Sequence, residues 1–145
     1  MAPASNEEQF KFLISCIRYS NNGNVDTSFG KRGGVITGFA PVKTLASAYA
    51  LVLQTNGDIV AAGSAGQPSG AQGDDFALAR YSSSGVIDPT FGSSGKVTTA
   101  FGTNAAAIYG LAVQSDGKIV AAGLSLQSGQ SGQVGGLVVA RYLGQ

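Results

Sequence analysis

The chain has 145 residues, 43% hydrophobic and only 12% charged, and its nine Lys and Arg against eight Asp and Glu leave a net charge of +1. This is one domain's worth of globular chain, and it lacks the basic stripe of a nucleic-acid binder. With no histidine and a single cysteine, Cys16, the usual zinc spacings and an internal disulfide are both excluded.

Residues 1–9 read as a tail. Glu7 and Glu8 stand where a signal peptide carries lysines, and the apolar run after them is too short to span a bilayer. The expectation is therefore no export signal, no membrane contact and a cytoplasmic location. Residues 10–19, ending "FLISCIRY", alternate as a strand with Phe12, Ile14 and Cys16 on one face and Leu13 and Ile17 on the other. The loop "RYSNNGNVDTSFG" follows, and then the strands "GVITGF" and "YALVLQ", rich in β-branched and aromatic residues. "TNGD" joins the second of these to "DIVAAG". Asn-Gly between apolar runs predicts a hairpin with positive φ at both central residues. A Gly/Ser/Gln-rich loop leads to the strand "DFALARY".

The same order then recurs as "RYSSSGVIDPTFG", "KVTTAF", "YGLAVQ", "SDGK", "KIVAAG" and "GLVVARY". Arg18 and Arg80, Asp26 and Asp88, and Phe29 and Phe91 are each 62 positions apart, and the offset falls to 60 from Tyr49 to Tyr109. A unit of about sixty residues thus occurs twice, preceded by an extra copy of its last strand. The expected division is an extra strand over 10–19, a first four-stranded unit over about 31–81 and a second over about 93–142. Both faces of "YALVLQ" are apolar, with Tyr49, Leu51 and Leu53 on one and Ala50 and Val52 on the other. A sheet apolar on both sides needs two covers, as in a β-propeller whose blades stack radially.

The stretches "LQTNGDIVAAGS", "FALARYSSSGVIDPTFGSSGKVTT" and "VQSDGKIVAAGL" resemble the bacterial delta-sixty repeat, a β-propeller domain of unknown function. The resemblance implies blades and carries no shared activity. The fold class expected is all-β: two antiparallel four-stranded blades and an extra strand, with a propeller closed by homo-oligomerisation. Two blades cannot close a ring, and a pair would expose an apolar face and open strand edges. Small two-blade lectins, which are similar in this respect, close as six-bladed trimers, and a trimer is favoured here. The strand over 10–19 is expected to reach across a junction, either replacing the strand that ends at Tyr142 in a neighbouring blade or lying beside it.

Chemistry is sparse. Cys16 has no histidine to activate it and reads as a structural thiol. Asp26 and Asp88 precede Ser, Thr or Pro as turn caps do. Asp58 and Asp116 belong to the hairpins, and Asp74 and Asp75 to a loop end without a calcium pattern. Phe29, Phe91, Tyr49 and Tyr109 read as core. The repeated pairs Arg18-Tyr19, Arg80-Tyr81 and Arg141-Tyr142 have two readings: arginine held by a nearby Asp or carbonyl with tyrosine packed between blades, or, together with Asp26 and Asp88, the elements of a carbohydrate or carboxylate site. These eight residues are the candidate ligand-binding set. No cofactor or metal is implied, and the partners expected are copies of the chain itself and a carbohydrate or other small ligand. The functional reading is a non-enzymatic, multivalent, lectin-like binding module; it leans away from an enzyme without deciding the matter. The alternative is a hydrolase or lyase using carboxylates and tyrosines at the propeller axis or at protomer junctions.

Overall fold

The structure, a computed structural model, describes residues 13–39, 45–66, 74–102, 105–129 and 132–144. The expected tail, Phe12 and most of the first Gly/Ser/Gln-rich loop lie outside these. The described residues form nine strands: β1 (Ile14–Ile17), β2 (Gly34–Thr37), β3 (Leu45–Leu53), β4 (Ile59–Gly66), β5 (Asp75–Tyr81), β6 (Lys96–Thr99), β7 (Ala105–Val113), β8 (Ile119–Gly129) and β9 (Gly132–Tyr142). They pair antiparallel into three sheets, β1-β2, β3-β4-β5-β6 and β7-β8-β9.

The sheets are out of phase with the boundaries expected at 31–81 and 93–142. β2 pairs not with the strands after it but with β1, Ile14 opposite Thr37 and Ile17 opposite Gly34. One repeat later β6 pairs with β5 in the same register, Phe76 opposite Thr99 and Ala79 opposite Lys96. Within the chain the N-terminal strand thus has β2 as its neighbour, and in place of the two four-stranded units expected there are one four-stranded, one three-stranded and one two-stranded sheet among the described residues. The cause is the turn between the paired strands. Arg18 donates its backbone N–H to Gly33, Asp26 to Arg18 and Gly33 to Phe29, closing the segment on itself; Arg80, Gly95, Asp88 and Phe91 repeat the pattern. That reversal returns the chain beside the strand it has just left, whereas the stretch after Phe39 or Phe101 carries it into the next sheet.

Both hairpins form, with a different turn from the one expected. Gly57 and Gly117 have positive φ, but Asn56 and Asp116 do not. The N–H of Gly57 bonds to Gln54 and that of Gln54 to Asp58, and Gln114, Gly117 and Lys118 do the same. This is a type I turn closed by a left-handed glycine, the three-residue hairpin loop.

The middle sheet carries the core on both faces. Ile59, Ala61, Ala65, Ala77, Ala79 and Tyr81 pack against Ile14, Phe29 and Phe39 on the β1-β2 side. Val60, Ala62, Phe76, Leu78 and Phe91 pack against Ala106, Ile108, Ile119 and Ala121 on the other. The small residues of β4 let neighbouring sheets approach closely. Alternation does not bury Tyr49 and Tyr109, which were expected in the core. The register slips between Ala48 and Ala50 and between Ile108 and Gly110, so each tyrosine is the extra residue of a β-bulge. Both are exposed and lie against each other across the two sheets, ring centroids 5.3 Å apart.

Candidate functional site

The Arg-Tyr and Asp candidates form two copies of one internal clasp. The Nε of Arg80 donates to Asp88 at 2.7 Å and one amino group donates to Thr90, while the guanidinium lies 4.7 Å from the Phe91 ring centroid. Its remaining amino group donates to the carbonyl of Gly144, beyond β9. Arg18 repeats every contact one unit earlier: Asp26 at 2.9 Å, Ser28, the Phe29 ring and, in the next sheet, the Ser83 carbonyl. Each arginine thus closes its own turn and ties its sheet to the following one.

Three aspartates, Asp26, Asp88 and Asp116, are held as anions. Asp88 lies below the usual carboxylate range because the Thr90 hydroxyl and N–H donate to it, with Arg80 adding to this. Asp26 is lowered the same way by Ser28 and then Arg18, and Asp116 chiefly by Lys118. Asp75 moves up through burial and the adjacent Asp74. The tyrosines differ among themselves. Tyr81 is buried with its hydroxyl on Thr37, and burial pushes its phenol up to about 12. Tyr142 is half-buried on Thr99 and also raised by burial; Tyr19 is exposed. Arg141 is exposed and makes no ion pair among the described residues.

An open groove of about 1030 Å³ lies beside β1-β2, lined by Cys16, Ile17, Lys31, Arg32, Ile36 and Tyr81 among others. Arg32 is held at φ 57° and its counterpart Ser94 at φ 52°, a left-handed position uncommon outside glycine. Burial raises the Cys16 thiol, the opposite of what a nucleophile needs. Among the described residues no three acidic, cysteine or histidine side chains gather as a metal cluster would require.

Residues 54–91 and 114–143 match a family model described as a domain of unknown function (DUF5122) beta-propeller. The two repeats are similar to that family's repeat. No curated protein matches the chain. The antiparallel sheets are consistent with propeller blades (hereafter blades); the matched stretches hold the turn and second strand of each hairpin together with Arg80, Tyr81 and Asp88 in one and Arg141 and Tyr142 in the other.

Of four exposed leucine and valine positions, Leu51 and Leu53 were read from the sequence as an apolar face needing a cover, and Leu137 and Val139 escaped that reading. Leu137 and Val139 are 88% and 68% exposed on the C-terminal blade, and Leu51 and Leu53 are 55% and 63% exposed on the middle one. Their equivalents Phe76 and Leu78 are buried, and Leu111 packs on the core. Offsets of 60 and 61 residues link these positions in the sequence, but only the phase of the blades shows which copy has a cover.

Proposed function

We propose that the protein is a non-enzymatic binding module whose blades stack head-to-tail with those of further copies into a propeller ring, a six-bladed trimer being favoured, so that each ligand site is presented several times. The observation that carries this is the contrast between blades. In the middle blade β4 and β5 are covered on both faces, whereas its first strand at Leu51 and Leu53 and the C-terminal blade at Leu137 and Val139 leave apolar faces of the same make exposed. Exposed apolar patches of this kind mark interaction surfaces.

A binder is favoured over a hydrolase by the state of the carboxylates. Asp26, Asp88 and Asp116 are each satisfied locally and held ionised, which suits salt-bridged turns and not a shared proton. The Arg-Tyr pairs serve the ligand reading less well than the rims between blades, because Arg80 and Tyr81 are buried in internal contacts.

Light scattering at micromolar concentration tests assembly, with a three-chain mass expected and a stable monomer counting against it. A glycan array beside a panel of general hydrolase substrates tests the class. Turnover that survives repurification, without binding, would reverse the reading.

A further inference from the structure

We propose that β2 of one copy serves as the fourth strand of the C-terminal blade of another, added to the free edge of β9 in the place that β1 occupies within a single chain. This rests on the assembly reading above and assigns its junction.

Among the described residues the same strand pair occurs twice and is not seen a third time. β1 takes β2 and β5 takes β6 in one register, while β9, their counterpart, has no outer neighbour among the described residues. Its equivalence to β5 is fixed by the inner pairing, since Tyr81 stands opposite Ile59 and Tyr142 opposite Ile119. Carrying the β5-β6 register forward places Leu137 opposite Thr37, Val138 opposite Ile36 and Val139 opposite Val35 of the neighbour.

β1 and β9 are two candidates for one position, and three observations favour β9. It is anchored to β8 along its whole length, from Gly132 to Tyr142, whereas β1 pairs over four residues. Leu137 and Val139 correspond to Ile14 and Cys16, so they arrive where those side chains pack and leave the solvent they face now. Arg141, which has no ion-pair partner among the described residues, arrives where Arg18 meets Asp26. On the inner side the incoming blade covers Leu51 and Leu53, as the middle blade covers Leu111. The new contact continues a junction already built twice inside the chain.

Cross-linking tests the register directly. In a Cys16→Ser background, Ile36→Cys and Val138→Cys sit on opposite flanks of one chain, with Ile36 71% exposed, and cross-strand neighbours stand about 5 Å apart between Cβ atoms. Mild oxidation should link most chains head-to-tail into multimers that reduction dissolves, whereas either substitution alone should give at most dimers. Removing residues 1–17 should leave the oligomer mass unchanged, because the exchange releases β1. An oligomer by light scattering that forms no disulfide between positions 36 and 138 overturns the exchange and leaves the assembly reading standing, and a folded truncated chain that falls to monomer does the same in favour of β1 as the clasp. A monomeric parent protein overturns both.

Discussion

Tyr81 donates its phenolic hydrogen to the hydroxyl of Thr37 at 2.6 Å, reaching from one blade to the strand that edges the blade before it. Tyr142 and Thr99 repeat the contact at 2.9 Å. The tyrosine of the "ARY" strand is thus a strut between blades, and its ring is core on the way.

Replacing Tyr81 by Phe keeps the ring and strands the Thr37 hydroxyl. A loss of about 1 kcal/mol is expected in chemical denaturation, with a smaller loss for Tyr142→Phe because that side chain is half-buried. Thr37→Val in the Tyr81→Phe background should recover part of it. Additive effects of the two changes would show that the hydrogen bond is not coupled.

High pH should find the same strut. The folded phenol of Tyr81 titrates near 12 instead of its ordinary 10 because it is buried, so the folded state holds the proton more tightly. Its contribution is complete below pH 10 and is lost as the pH rises through 12. Tyr81→Phe should flatten that part of the stability profile, read by circular dichroism between pH 9 and 12. An unchanged slope would mean that other groups drive alkaline unfolding.

Much of this was legible in the sequence. The repeat, the two hairpins, the burial of Phe29 and Phe91 and the structural reading of Arg80 with Asp88 all follow from spacing and residue chemistry, because each depends on contacts within a few residues or one repeat. The grouping into blades was not legible. Whether "GVITGF" closes the strand pair before it or opens the sheet after it depends on how tightly the "D-x-[ST]-F-G" turn reverses, a matter of backbone bonds that composition does not display. Tyr49 shows a second limit: one inserted bulge residue turns its side chain outward, while the apolar alternation around it reads as uninterrupted strand.

The two arginine clasps look alike and should differ in strength. Arg80 is buried with a carboxylate, a hydroxyl, a carbonyl and a ring around it, and removing one partner of such a pair costs roughly 3 kcal/mol. Arg80→Ala should approach that figure, and Arg18→Ala should cost clearly less, since its clasp is open to water. Paired urea titrations measure both, and equal losses would contradict the assignment.

Gly63 and Gly110 make a matched test of backbone approach. A Cβ on Gly63 would collide with the Ser47 carbonyl oxygen across the bulge, whereas at Gly110 nothing lies within 4 Å. Gly63→Ala should therefore destabilise the middle blade by several kcal/mol, on the order of the largest single-substitution effects. Gly110→Ala should be close to neutral. Thermal melts of the two variants decide it, and a benign Gly63→Ala would mean that β3 and β4 can part without penalty.

The offset between repeat and blade has a consequence for how such chains lengthen. The four-stranded middle blade takes its last strand from beyond the sequence unit that supplies the first three, as bricks overlap in alternate courses. A duplication of about sixty residues adds one blade's worth of strands wherever its ends fall, because the overlap restores the pattern at both seams. A repeat family built this way can grow or shrink by copying errors that respect only the period, without needing the cut to fall at a structural boundary.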